Sequence, residues 1–395
     1  MRKESTNGLK GWRNTWLSTS CVVVTLALAA LGLTACASQS GGKVQNNPAV
    51  VDAKYIGSNG AIVNGNKMYK TIQSALDDAP SSSKTPYLIS IRNGRYYEKI
   101  VITKPFIALA GEDRDKTILT FDAYSGLAKP GGSGTWGTFA CATLIVRATD
   151  FSAENMTIEN GYDYPANDVK DKSDPTYTND PQAVALMTDT GSDRALFRNV
   201  KVTGYQDTLF TNVGRTYFVK SLVSGNVDFI FGAGQTVFYD SDIITRPRAK
   251  PGVNPIGYVT APSTQLSNKY GMVFINCRLK KENDKVPVAS SPLGRPWHPT
   301  TTMPDGRYAD PNAVGSSVFI NCYMDDHIAS EGWASMTGTQ KSGPAKTVFL
   351  PEDSRFFEYK SSGPGGKVTP ARRQLSDAQA SDYTVEKVLG DWKPR

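Results

Sequence analysis

GYQDTLF (residues 204–210) is restated as GNVDFIF (225–231), an offset of 21 residues that pairs Gly204 with Gly225, Asp207 with Asp228, Leu209 with Ile230 and Phe210 with Phe231. Each copy sets an acid among residues that favour burial. A carboxylate against an apolar wall is costly unless something compensates for it. Stating the cost twice, one unit apart, makes the period the first question.

The period is not confined to that pair. Short β-rich phrases recur as FSAENMTI (151–158), LFRNVKV (196–202), YFVKSLV (217–223), VFYDSDI (237–243), VFINCRL (273–279) and VFINCYM (318–324). Two consecutive steps are close to 21 residues, and the wider gaps carry Pro-, Gly- and Asp-rich inserts such as GYDYPANDVKDKSDPTYTNDP (161–181). Such a unit is too short for a strand–helix–strand crossover but suits a coil of two or three short strands. Asn155, Asn199, Asn276 and Asn321 fall at matching places, as stacked turn residues would. The pattern predicts an all-β chain folded as a parallel β-helix. A β-sandwich is the alternative, but its hairpins would call for regular two-residue Asn-Gly or Asp-Gly turns, which do not dominate here. Ile72, Ala75, Leu76 and Ala79 within TIQSALDDA (71–79) have helical spacing and predict a short helix capping the N-terminal end. SDAQASDYTVEKVLGDW (376–392) is expected to cover the other end.

If one repeat is one coil, Asp207 and Asp228 stack on neighbouring rungs roughly 4.8 Å apart. Repulsion between two such charges at ~5 Å and an effective dielectric of ~20 is about 3 kcal/mol, or roughly two pKa units. The pair then titrates as a unit, and near neutral pH it supplies one ionised and one protonated carboxyl group. The plainer reading is two turn aspartates binding backbone amides.

The ends of the chain carry other signals. Of a formal charge of +7, Arg2, Lys3, Lys10 and Arg13 against Glu4 supply +3. These residues precede VVVTLALAALGL (22–33), which is too short for a membrane span of ~20 residues. Residues 1–35 read as a signal peptide, and Leu33-Thr34-Ala35-Cys36 resembles a bacterial lipobox, so Cys36 is expected to carry lipid. Residues 36–50 then form a flexible tether and 51–395 the β-helix domain. Ala37, rather than Asp, after Cys36 favours the outer membrane of a Gram-negative cell. An ordinary secretory signal is the alternative. Cys277 and Cys322 occupy twin VFINC phrases, whose spacing permits a bond only on adjacent rungs; buried thiols are the expectation. No Lys/Arg run of the nucleic-acid type occurs, and a monomer is expected.

GYQDTLF, GNVDFIFG, LGRPW (293–297), QAVAL (182–186) and EGW (331–333) together resemble the signature segments of the pectin methylesterases, in order from about residue 50 to the C-terminus. The resemblance implies a right-handed parallel β-helix that hydrolyses methyl esters of galacturonate units in pectin or its oligomers. On the matching positions, it implies Asp228 as nucleophile and Asp207 as general acid and then base. It further implies Gln206 and Gln182 as oxyanion donors, and Arg295 as partner of Asp228. Trp297, Phe231 and Met336 would line the substrate groove, whereas Trp333 reads as a packing residue.

Other chemistries lack their residues. With only His298 and His327, no acidic cluster beyond the pair and no G-x-S-x-G elbow, neither a metal, a cofactor nor a serine nucleophile is expected. Neither histidine has the glycine neighbours of a polygalacturonase signature. Two competing functions remain: an esterase or thioesterase of the same fold acting on a small acyl compound, and a non-catalytic glycan-binding β-helix at the cell surface.

Overall fold

Residues 47–394 are described by the structure, a computed structural model; Cys36 and the whole signal segment lie outside them. Each central coil contributes one short strand to each of three sheets, and coils toward the ends contribute to fewer. The recurring phrases above form the longest sheet, which runs in parallel from Ala49–Val51 through Ala195–Arg198, Arg215–Val219, Gln235–Tyr239, Met272–Ile275 and Ser316–Ile320 to Arg355–Tyr359. A second sheet contains Lys201–Thr203 and Leu222–Gly225, and a third contains Leu186–Thr188, Leu209–Thr211, Ile230–Gly232 and Thr260–Pro262. The fold is the right-handed parallel β-helix. Its first buried strand, Ala49–Val51, starts inside the segment expected to be tether, because Val50 and Val51 pair with Ser90 and Ile91 on the next coil.

The asparagines stand where expected and for a backbone reason. Asn155, Asn199, Asn276 and Asn321 all have positive φ, between 50° and 54°, at the corner between the first and second sheets. Asparagine tolerates this left-handed region better than most side chains. Lys220, Asp240 and Lys360 hold the same corner on other coils. One ladder bond forms, from Asn199 Nδ2 to Asn155 Oδ1 at 2.9 Å.

Inside the coil, in-register pairing puts like on like. Phe197, Phe218, Phe238, Phe274 and Phe319 stack with centroid separations of 4.6, 5.0, 4.5 and 4.4 Å. Trp333 is buried beside Phe319 and stacks on Phe356, so it is a core residue. Cys277 and Cys322 follow the paired residues Ile275 and Ile320 on adjacent coils and are free, buried thiols.

The N-terminal helix spans Ile72–Asp78, with Thr71 Oγ1 accepting from the Ser74 amide at 3.1 Å. Its buried Ile72, Ala75 and Leu76 close the first coil as predicted. The C-terminal segment behaves differently. Its helices Asp377–Ala380 and Val385–Leu389 lie along the outer face of the long sheet, where Val388 and Leu389 pack on Val237 and Tyr239. Arg215 Nη1 donates to the Leu389 carbonyl at 2.9 Å and holds the segment on the flank. The last coil ends instead on a buried ion pair, Arg372 with Glu358, in which Glu358 takes the place of the next phenylalanine in the stack.

Candidate active site

The site lies where the second sheet hands the chain to the third. On two successive coils this connection is short, 204–208 and 226–229, whereas on flanking coils it is long, 122–143, 161–185 and 246–259. Short connections between long ones make a cleft, and Asp207 and Asp228 form its floor. Leu209 pairs with Ile230 and Phe210 with Phe231, so the acids occupy equivalent places on adjacent coils. Both have positive φ, 60° and 49°, and aspartate tolerates that region. The glycine of the repeated phrase serves a close approach: a Cβ on Gly225 would stand 2.3 Å from Phe229 Cβ and 2.5 Å from the Tyr205 carbonyl oxygen.

Identical phrases do not give the two acids identical surroundings. Arg295 donates to Asp228 through Nε at 2.9 Å and Nη2 at 2.5 Å, a bidentate pair, and its guanidinium lies 3.9 Å from the Tyr258 ring centroid. A bidentate, charge-assisted pair of this geometry fixes the orientation of the carboxyl group. Asp207 has no such partner. Burial, and then the neighbouring Asp228 charge, hold its carboxyl well above the usual range, only partly opposed by Arg295. Asp207 opens to the cleft at its tip yet is surrounded by protein below, so desolvation is the dominant cause.

Eleven residues line the cavity, whose volume is ≈ 330 Å³: Asp207, Asp228, Gln206, Gln182, Arg295, Trp297, Phe231 and Met336, together with Thr138, Phe139 and Ala261. All eight site residues expected from the sequence therefore meet in one place. Phe231 stacks on Phe210 at 4.2 Å, and Trp297 meets both rings edge-on at 5.6 and 6.1 Å, forming an apolar wall. Met336 comes from a hairpin strand, Met336–Thr339. Thr138 and Phe139 escape sequence reading because the 122–143 connection contains no repeated phrase; its main signal is the trio of aromatics Tyr124, Trp136 and Phe139 in a glycine-rich insert. Gln182 Oε1 is buried without a hydrogen-bond partner.

Two further features bear on the chemistry. Cys141 lies under the cleft, and burial pushes its thiol up to about 11, so it is no thiolate nucleophile at neutral pH. Beyond Gln206, a second cavity of ≈ 280 Å³ carries Lys170, Lys172, Arg248 and Lys250. Arg248 is paired with the buried Asp168.

With this geometry in place, similarity to known proteins is specific. The family profile "Pectinesterase" matches residues 61–391. Pectinesterase A of Dickeya chrysanthemi is 50% identical over 331 residues, covering 83% of this chain and 88% of that protein. A crystal structure of a pectin methylesterase in complex with a hexasaccharide superposes with a TM-score of 0.83 at 46% identity, over 89% of this chain and 99% of the other. The pectin methylesterase of Yersinia enterocolitica gives 0.79 at 47% identity, over 82% and 99%.

Proposed function

The chain belongs to the pectinesterase family, and from that premise we propose how its cleft removes methyl esters from galacturonate units of pectin or its oligomers. It is a carboxylic ester hydrolase. The observation that carries the assignment of roles is the inequality of the two acids: Asp228 clamped by Arg295, Asp207 without a cationic partner and held toward its protonated form by desolvation.

Asp228 attacks the C6 carbonyl carbon of the substrate. The carbonyl electron pair moves to oxygen, where the side-chain amides of Gln206 and Gln182 donate to the oxyanion; neutral donors fixed in advance need no reorganisation as charge develops. Collapse expels the methoxy group, which takes the proton of Asp207 and leaves as methanol. Asp207, now ionised, accepts a proton from water as that water attacks the acyl-enzyme, and the second collapse frees the Asp228 carboxylate and the galacturonic acid, which releases its proton to solvent. Arg295 positions Asp228 throughout. Trp297, Phe231 and Met336 offer the sugar an apolar face, and the lysines of the adjoining cavity suit a polymer whose product units are anions.

Methanol release from methylated pectin, run beside short methylated oligomers and a thioester, tests this reading. We expect release from both pectic substrates and little thioester cleavage. A preference for the thioester would move the function to a small acyl compound, and no release would leave only glycan binding.

The anchor belongs to this proposal too. Cys36 is read as the lipidated residue that ties the domain to the outer membrane, on the strength of the short apolar run ending in Leu-Thr-Ala-Cys; several acyl chains would hold it firmly where one would not. Among the described residues, no helix is long and apolar enough to cross a membrane. A Cys36→Ser variant exported through a cleavable signal should move to the soluble fraction with its specific activity little changed. Wild-type protein recovered as soluble, with a mature N-terminus elsewhere than Cys36, would refute the anchor alone.

A further inference from the structure

After strand Tyr323–Met324 the chain turns through Asp325, Asp326 and His327, whose carboxylate oxygens and imidazole nitrogen lie within 4.8 Å of one another. His327 is 0% exposed, yet neither Nδ1 nor Nε2 has a hydrogen-bond partner. Leaving a buried polar group unsatisfied costs roughly 1–3 kcal/mol. Asp326 Oδ1 is also buried without a hydrogen bond, although Lys281 Nζ stands 3.1 Å away. The sequence reading expected no metal and no second acidic cluster. This group escaped it because the three residues are consecutive, whereas metal motifs are sought at helical or loop spacings.

We propose that Asp325, Asp326 and His327 form a site for a divalent transition-metal cation of the zinc type. One imidazole nitrogen with two carboxylates suits zinc, while calcium and magnesium take oxygen donors. Lys281 is the resident competitor. It lies 3.7 Å from the exposed Asp284 as well, so a cation at Asp326 would pass the ammonium to Asp284.

The role is structural. None of the three side chains lines the catalytic cavity. The backbone of the same turn, however, holds the segment that presents Arg295: the Asp326 carbonyl accepts from the Ala289 amide, and the His327 carbonyl from Ser290 and Ser291, each at 2.9 Å. Bridges Ser291–Ile328 and Gly294–Trp333 continue the pairing to within one residue of Arg295. A cation would brace that turn.

The test uses the intact β-helix protein, stripped with EDTA, dialysed and titrated with Zn²⁺ alone by calorimetry, with thermal melts alongside. We expect saturation at one Zn²⁺ per chain and a raised melting midpoint, with no comparable effect of Ca²⁺. Asp326→Asn should weaken binding at least about tenfold. Lys281→Met, which removes the competitor and none of the ligands, should tighten it. Methanol release should be unchanged in both variants. Zinc that binds without saturating, or with equal affinity in wild type and both variants, overturns the proposal.

Discussion

Arg295 directs both of its short nitrogen bonds to Asp228, and the consequences fall on both acids. Asp228→Asn should reduce methanol release at least about a thousandfold, as removal of an essential nucleophile does. It should also lower the melting midpoint, because a mostly buried guanidinium loses its counter-charge. Asp207→Asn should be comparably inactive but more stable than wild type at neutral pH. The folded protein holds its Asp207 proton more tightly than the unfolded chain does, so the contribution of this one group to wild-type stability is greatest below the unfolded value near 3.9 and falls as pH rises toward the raised folded value. The variant lacks that slope. Its advantage in thermal melts should be absent below about pH 4 and widen as pH increases; a constant difference would contradict the raised carboxyl. The side chains proposed to do the chemistry were legible in the sequence because repetition and the linked segments marked them. Thr138 and Phe139 were not, since their place in the cavity depends on how a non-repeating loop folds back; Ala261 pairs in register with Phe231, but its strand lies beyond the long 246–259 connection and carries no copy of the repeated phrase.

At the scale of the element, the corner between the first two sheets is where propensity and geometry disagree. Lys220 adopts the left-handed conformation that asparagine adopts on neighbouring coils, and a residue with a long side chain is disfavoured there by roughly 1–2 kcal/mol. Lys220→Asn should therefore raise stability by about 0.5–1 kcal/mol in chemical denaturation, a gain typical of relieved local conflicts. Phe238 lies in the middle of the internal stack, 5.0 Å from Phe218 and 4.5 Å from Phe274, and Phe238→Ala should cost about 3–5 kcal/mol. The strands of the long sheet could be read from their phrases because in-register pairing repeats the same residue types. The resting place of residues 376–392 could not. An amphipathic pattern shows that one face is buried but not which surface buries it, and here the contacts from Arg215 and Gln235 select the flank.

For the whole molecule, the outer face of the long sheet and the C-terminal helices form one apolar cluster, with Val237, Val273 and Val318 under Val388 and Leu389. Truncation after Leu375 should expose that face, lower the melting midpoint and promote association in size-exclusion chromatography. EDTA should leave turnover on short oligomers intact, since no step of the hydrolysis needs a metal ligand; calcium dependence of bond cleavage itself would point to another reaction class. One dimension of the molecule then acquires a different meaning. The interval between Asp207 and Asp228 is not set by a loop that could be lengthened or trimmed but by strand spacing, ~4.8 Å in any parallel sheet. Coils can be gained or lost toward either end, and inserts can grow on the flanking connections, without touching that interval. A single extra coil between Leu209–Thr211 and Ile230–Gly232 would take over the ladder bonds these strands now make to each other, keeping the pairing pattern intact, yet leave the acids ~9.6 Å apart. The lineage of such a solenoid is free to vary in length everywhere except across this one step.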